Sequence, residues 1–234
     1  MVTKFLAVGL CGVSTLAWAD PFVPEMNRVN VPSHVYAGGW EHFVGGGVAS
    51  FDCNSDSYPD LYVAGGENPA ELMSNGGAFG FTTQTPADLS LSGLTGAYPI
   101  DIDSDGITDL AILRVGEDMI LKGKGNCQFE PFADLGFTSS DHWTTAFSAT
   151  WEGDNELPTM VFGTYVDRAD PKGPFETCDA SLLYRPKGGR YGDPIKLEPG
   201  FCTLSMLFTD WARTGRADLR VSNARHYHVK GGQE

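Results

Sequence analysis

The sequence predicts an all-β protein, a β-propeller of about four blades that do not complete a ring. Three observations carry that expectation. Two aspartate-rich loops, Asp52-Cys53-Asn54-Ser55-Asp56-Ser57-Tyr58-Pro59-Asp60 and Asp101-Ile102-Asp103-Ser104-Asp105-Gly106-Ile107-Thr108-Asp109, begin 49 residues apart, a spacing in the range of propeller-blade periods. Each loop is flanked by short runs rich in β-branched and aromatic residues and bounded by glycine, the composition of strands. No window longer than a turn or two keeps a 3.6-residue apolar period free of Gly and Pro, so little helix is expected beyond a short turn near Ala87 to Leu91.

The elements follow in chain order. Residues 1–19 read as a secretory signal: Lys4 in a short basic start, an apolar run from Phe5 to Ala17, and Ala17-Trp18-Ala19 before Asp20 as the cleavage site. Cys11 follows Leu10 rather than a small residue, so it belongs to the apolar run and not to a lipid-attachment site. Residues 20–42 are expected to form a lead-in strand. The first repeat, about 43–90, offers strands at Gly45 to Phe51, Leu61 to Gly66 and Ala70 to Ser74, a turn at Asn75-Gly76-Gly77, and a closing strand with Phe79 and Phe81. The second, about 91–140, repeats the order with Tyr98 to Ile100, Leu110 to Val115, Asp118 to Lys122, a turn at 123–126, and a closing strand with Phe129 and Phe132. Four strands per repeat of this length make a propeller blade.

Two weaker copies follow, over about 141–200 and 201–234. In the third, Trp151 takes the first loop position and most ligands are gone. The fourth keeps Asp210, Gly215 and Asp218 but has Ala212 and Thr214 at the third and fifth positions, with Arg213 and Arg216 nearby. That loop is expected to be metal-free, an arginine holding the turn in place of an ion. The chain stops where the third strand of this repeat is due, which predicts an incomplete ring and a truncated product or partial record.

The chemistry of the two strong loops points to a cation. The second crowds four carboxylates into nine residues, and two carboxylates about 5 Å apart repel by about 3 kcal/mol at an effective dielectric of about 20. Hard oxygen ligands, without Cys or His at the ligand positions, favour Ca²⁺ or Mg²⁺ over zinc or copper, and a flexible loop suits calcium. Neither loop is an EF-hand, because position twelve holds Val63 and Ile112 rather than a bidentate Glu. The competing reading is a solvated turn in which Asp caps its own backbone.

The chain carries a formal charge of −14, and loss of Lys4 with the signal makes the mature form one unit more acidic. A basic nucleic-acid footprint is absent, and no stretch beyond the signal approaches the length of a membrane span. Four cysteines remain after cleavage, with three possible pairings and no CxxC. Cys178 with Cys202 is favoured, because they flank a Gly- and Pro-rich excursion over 171–200 that reads as an insertion tied at its base. Cys53 with Cys127 is then the remaining pair.

Gly46-Gly47-Val48-Ala49-Ser50-Phe51-Asp52, followed by Pro59-Asp60-Leu61-Tyr62-Val63 and by Asn75-Gly76-Gly77-Ala78-Phe79, resembles the repeat core and ending of the FG-GAP/VCBS repeat proteins. Within that family the chain looks closest to bacterial secreted proteins similar to cartilage acidic protein. The resemblance runs over 43 to about 230, strongly in the first two repeats. It implies an integrin-α-like propeller, seven-bladed in fuller members, with structural Ca²⁺ in hairpin loops. The ligands it implies are the side chains of Asp52, Asn54, Asp56 and Asp60 with the Tyr58 carbonyl, and those of Asp101, Asp103, Asp105 and Asp109 with the Ile107 carbonyl. Ser57 departs from the pattern, standing where Gly106 eases the turn of the second loop.

Other features are weighed against plainer readings. His226 and His228 alternate along a strand but lack a third ligand, so a surface or packing pair is expected. Trp40, Trp143, Trp151 and Trp211 suggest sugar stacking, yet burial between blades is expected for them. Glu152, Asp154 and Asn155 suggest glycosidase carboxylates but sit in the degenerate third loop. Nucleotide-binding, metalloprotease and serine-hydrolase fingerprints are absent. The expectation is a secreted or periplasmic, calcium-stabilised, non-catalytic binding or adhesion scaffold for an extracellular protein or glycan. The alternatives are a secreted hydrolase or lyase acting on polysaccharide, and a truncated product without independent activity.

Overall fold

The computed structural model describes residues 30–78, 80–173 and 177–224. The signal expected over 1–19, the start of the lead-in, Phe79 and the pair His226 and His228 lie outside them.

The described chain is all-β, with 3-10 turns at Trp40–His42, Ala87–Leu89 and Ala133–Leu135. The first repeat forms an antiparallel sheet of β1 (Val48–Phe51), β2 (Asp60–Val63), β3 (Glu71–Asn75) and β4 (Phe81–Thr83), in that spatial order. The second contributes β5 (Leu94–Ile100), β6 (Asp109–Glu117), β7 (Met119–Gly123) and β8 (Phe129–Pro131). The third contributes β9 (Asp141–Thr150), β10 (Thr159–Thr164), β11 (Ser181–Tyr184) and β12 (Ile195–Leu197). A hairpin of β13 (Thr203–Thr209) and β14 (Asp218–Asn223) comes last.

Each repeat is a meander, its consecutive strands pairing antiparallel with their neighbours in the chain. The first strands of successive repeats lie side by side, β1 against β5, β5 against β9, and β9 against β13. No closed ring forms among the described residues.

Strand β6 explains how the layers stack. Its residues 109–113 are all buried, the pattern of a strand covered on both faces. Leu110 and Ile112 enter a core with Phe51, Tyr62, Leu72, Leu94 and Phe129 of the first two repeats. Ala111 and Leu113 point the other way, into a core with Phe147, Phe162, Leu182 and Tyr184 of the third. Strand β10 repeats the device, Met160 and Phe162 joining the second core while Val161 packs with Ala146 and Met206.

Four expectations are corrected. The second and third repeats share one eight-stranded sheet, because β6 outruns its hairpin partners and pairs Val115, Gly116 and Glu117 with Trp143, His142 and Asp141 of β9. The described part of the lead-in is no strand: it makes isolated parallel bridges from Asn30 to Gly80 and from Ala37 to Gly66, then the first 3-10 turn. The stretch over 171–200 is no insertion, since it contains β11 and β12. Finally, Trp40, Trp151 and Trp211 are 47, 46 and 72 % exposed, and Trp143 alone of the four is buried.

Both expected disulfides are present, Cys53–Cys127 and Cys178–Cys202. The first ties loop one to the turn after β7, where the Cys127 N–H also donates to the Cys53 carbonyl at 2.9 Å.

Candidate metal centre

Each aspartate loop is the connection from the first to the second strand of its repeat, and the two share one hydrogen-bond plan. The carboxylate at the first position gathers the turn behind it. Asp52 accepts the N–H groups of Asp56 at 3.2 Å and Ser57 at 2.8 Å, and Asp101 accepts those of Asp105 at 3.1 Å and Gly106 at 3.0 Å. The fifth-position carboxylate accepts the N–H two residues on, Asp56 from Tyr58 at 2.8 Å and Asp105 from Ile107 at 2.9 Å. These are Asx-type bonds, and they coil the loop so that side-chain oxygens turn inward.

That coil requires positive φ at its fourth and sixth positions, 62° and 71° at Ser55 and Ser57, 59° and 84° at Ser104 and Gly106. Only Gly106 reaches this region without a side-chain penalty.

The ninth-position aspartates are fully buried clamps. Asp60 accepts the N–H groups of Cys53 at 3.0 Å and Asn75 at 2.8 Å, and Asp109 those of Ile102 at 2.9 Å and Gly123 at 2.8 Å. Each carboxylate therefore fastens its loop to the strand beyond. Burial pushes the Asp109 carboxyl up to about 6, against the pull of its two N–H donors.

The structure brings Asp101, Asp103 and Asp109 together, with one oxygen from each within 4.8 Å of the others, a donor set of hard oxygens that can hold a cation. One Asp103 oxygen is buried and without a hydrogen-bond partner, so the second loop fits a divalent ion. Asp105 is turned to Lys122, whose ammonium bonds both it and Asp103. Tyr58 and Ile107 sit at exposed positions, fixed through their backbones.

The first loop forms no comparable trio among the described residues. Its Asn54 amide donates to Asp56 at 2.9 Å, and the carbonyl oxygen of that amide accepts the Asp56 N–H at 3.1 Å. The grouping of Asp60 with Cys53 and Cys127 supplies no thiolate, because both sulfurs are in the disulfide.

The degenerate loops divide. In the fourth, Asp210 accepts the N–H groups of Thr214 at 2.8 Å and Gly215 at 2.7 Å, the first-position plan again. Those donors hold its carboxyl below the ordinary carboxylate range. Among the described residues neither Arg213 nor Arg216 bonds into this turn through its side chain; backbone N–H groups close it, and the arginine that reaches the loop is Arg220, 4.2 Å from the centre of the Trp211 ring. An arginine does hold the third loop, where Arg185 Nε donates to Glu152 at 2.6 Å beside the Thr159 hydroxyl at the same distance. Arg185 thereby lowers the Glu152 carboxyl, the opposite of what a general acid needs.

Lys122 is the residue that reading the loops alone missed. It lies on β7, outside the repeating oxygen pattern, and only the strand register brings it to the site. Its one sequence signal is a cation at the end of the strand after next, set between the apolar Leu121 and Gly123.

A search of curated proteins finds no match to this chain. The model of the FG-GAP-like repeat matches residues 52–112, from the first carboxylate of loop one to the middle of β6. The match is to the repeat itself and does not extend to a likeness with cartilage acidic protein. Both aspartate loops fall inside it, and the chain therefore carries an FG-GAP-like repeat.

Proposed function

We propose that this protein is a secreted, calcium-stabilised scaffold of propeller type that binds an extracellular protein or glycan without catalysis. The observation that carries the reading is the shared coil of the two loops, in which five equivalent hydrogen bonds arrange hard oxygens within a matched FG-GAP-like repeat. Sheets stacked through shared cores support blades, and the two disulfides suit an oxidising compartment. No helix of the described residues is long and apolar enough to cross a membrane. Calcium would neutralise the inward carboxylates and stiffen the loops; Asp52, Asn54, Asp56 and Asp60 would hold it in one, and Asp101, Asp103, Asp105 and Asp109 in the other.

Thermal unfolding in CaCl₂, MgCl₂ and EDTA tests the calcium part. A calcium-specific rise in Tm, absent when Asp52→Ala and Asp101→Ala are combined, is expected. A cooperative transition that calcium leaves in place overturns it. For the binding part, retention on an array of extracellular glycans or on cell surfaces, lost in EDTA, is expected.

A further inference from the structure

The two loops differ at two positions that face each other. Leu61 of β2 pairs with Met73 of β3, and Leu110 of β6 with Leu121 of β7, so the next residues along, Ser74 and Lys122, occupy equivalent places beside their loops. Ser74 donates its hydroxyl to Asp60 at 3.2 Å. Lys122 instead reaches the third and fifth positions, bonding Asp103 and, at 2.8 Å, Asp105, while its ammonium lies 4.7 Å from the centre of the Phe132 ring. Where Lys122 reaches two carboxylates, the first loop has Asn54, whose amide bonds Asp56 directly.

The exchange is balanced. Asn54 with Ser74 gives way to Asp103 with Lys122, so one added negative charge comes with one added positive charge. Two carboxylates cannot hydrogen-bond each other when ionised, whereas an ammonium with three donors can join them. The Phe132 face holds that ammonium over the loop.

We propose that Lys122 is the second loop's own counter-ion: it bridges Asp103 and Asp105 where the first loop uses an asparagine amide, and a divalent cation that takes both of these carboxylates as ligands has to displace it. The second loop, the one richer in carboxylates, thus carries a positive charge of its own. The part concerning calcium rests on the function proposed above; the part concerning the bridge does not.

The test compares the wild-type chain, Lys122→Ser, and Lys122→Ser combined with Asp103→Asn, which rebuilds the first loop's chemistry in the second. In EDTA, Lys122→Ser is expected to melt about 2–4 °C below wild type, which for a chain of this length corresponds to about 1 kcal/mol. Adding Asp103→Asn recovers most of that loss. In CaCl₂, Lys122→Ser gains more in Tm than wild type, because nothing has to be displaced. Equal melting of Lys122→Ser and wild type in EDTA, or no recovery on adding Asp103→Asn, overturns the bridge. A calcium gain no larger in Lys122→Ser than in wild type overturns the displacement. Where calcium moves none of the three chains, the calcium reading falls, and the EDTA comparison still decides the bridge.

Discussion

The Thr144 hydroxyl donates to the Asp118 carboxylate at 2.8 Å, fastening the β6–β7 turn of the second repeat to the first strand of the third. Asp118 also accepts the Arg114 N–H at 2.9 Å and is almost wholly buried. Burial dominates these donors and pushes its carboxyl up to about 7.

Stability should therefore fall as pH rises. Between the ordinary carboxylate range and about pH 7 the unfolded chain has released this proton and the folded chain still holds it, so the unfolded state binds fewer protons and the slope is negative. His142, raised chiefly by its 2.6 Å bond to Asp179, acts in the same direction: its contribution is full below the ordinary histidine value and is lost as pH passes its folded value. Urea midpoints are expected to be higher at pH 5.5 than at pH 8, and Asp118→Asn should flatten most of that difference. A midpoint that climbs toward pH 8 in wild type contradicts this account.

The ninth-position aspartate is a clamp before it is a ligand. Asp109→Ala leaves the buried N–H groups of Ile102 and Gly123 without acceptors and should cost about 2–4 kcal/mol in urea unfolding, with or without calcium. Asp101→Asn keeps one amide oxygen for the turn and should cost about 1 kcal/mol or less in EDTA. If the two variants unfold at the same midpoint, the clamp is not where the loop's stability lies.

Ser57 and Gly106 offer a reciprocal pair, with φ of 71° and 84° at the same loop position. Ser57→Gly should stabilise by about 0.5–1 kcal/mol and Gly106→Ala destabilise by about 1 kcal/mol, through backbone preference alone, since no atom lies within 4 Å of a Cβ built at Gly106. Thermal melting of both variants reads the two signs.

The Cys53–Cys127 bridge closes a sequence separation of 74 residues. Replacing both cysteines by alanine should cost about 4 kcal/mol on the chain-entropy scale. Urea unfolding of that double variant measures it, and a loss under about 1 kcal/mol would mean the reduced chain keeps these repeats together unaided.

Much of this was readable because repetition doubles each signal. The oxygen side chains at positions one, three, five and nine, the glycine turns and the glycine-bounded runs that become β2, β3, β6 and β7 each occur twice, and local propensity agrees with them. The pairing of Cys53 with Cys127 and of Cys178 with Cys202 was also legible, although the supposed insertion behind the second pair was not real. What stayed hidden depends on register between distant strands. Nothing around Lys122 announces that β7 carries it to Asp103, and nothing in Val115-Gly116-Glu117 announces that β6 continues into a second pairing with β9. Trp40 resisted for a related reason: its ring packs edge-on against Trp143 at 4.9 Å yet stays half in solvent, so an aromatic beside a core residue need not be core itself.

Strand β6 serves two hydrophobic interiors with alternate residues, and this bears on how the molecule comes apart. A repeat that peeled away singly would strip one side of β6 and leave the other side's partners attached, exposing apolar surface on both halves at once. Melting is thus shared between neighbours, and slow hydrogen exchange should run as one block from β2 through β10, with β13 and β14 opening earlier at the rim.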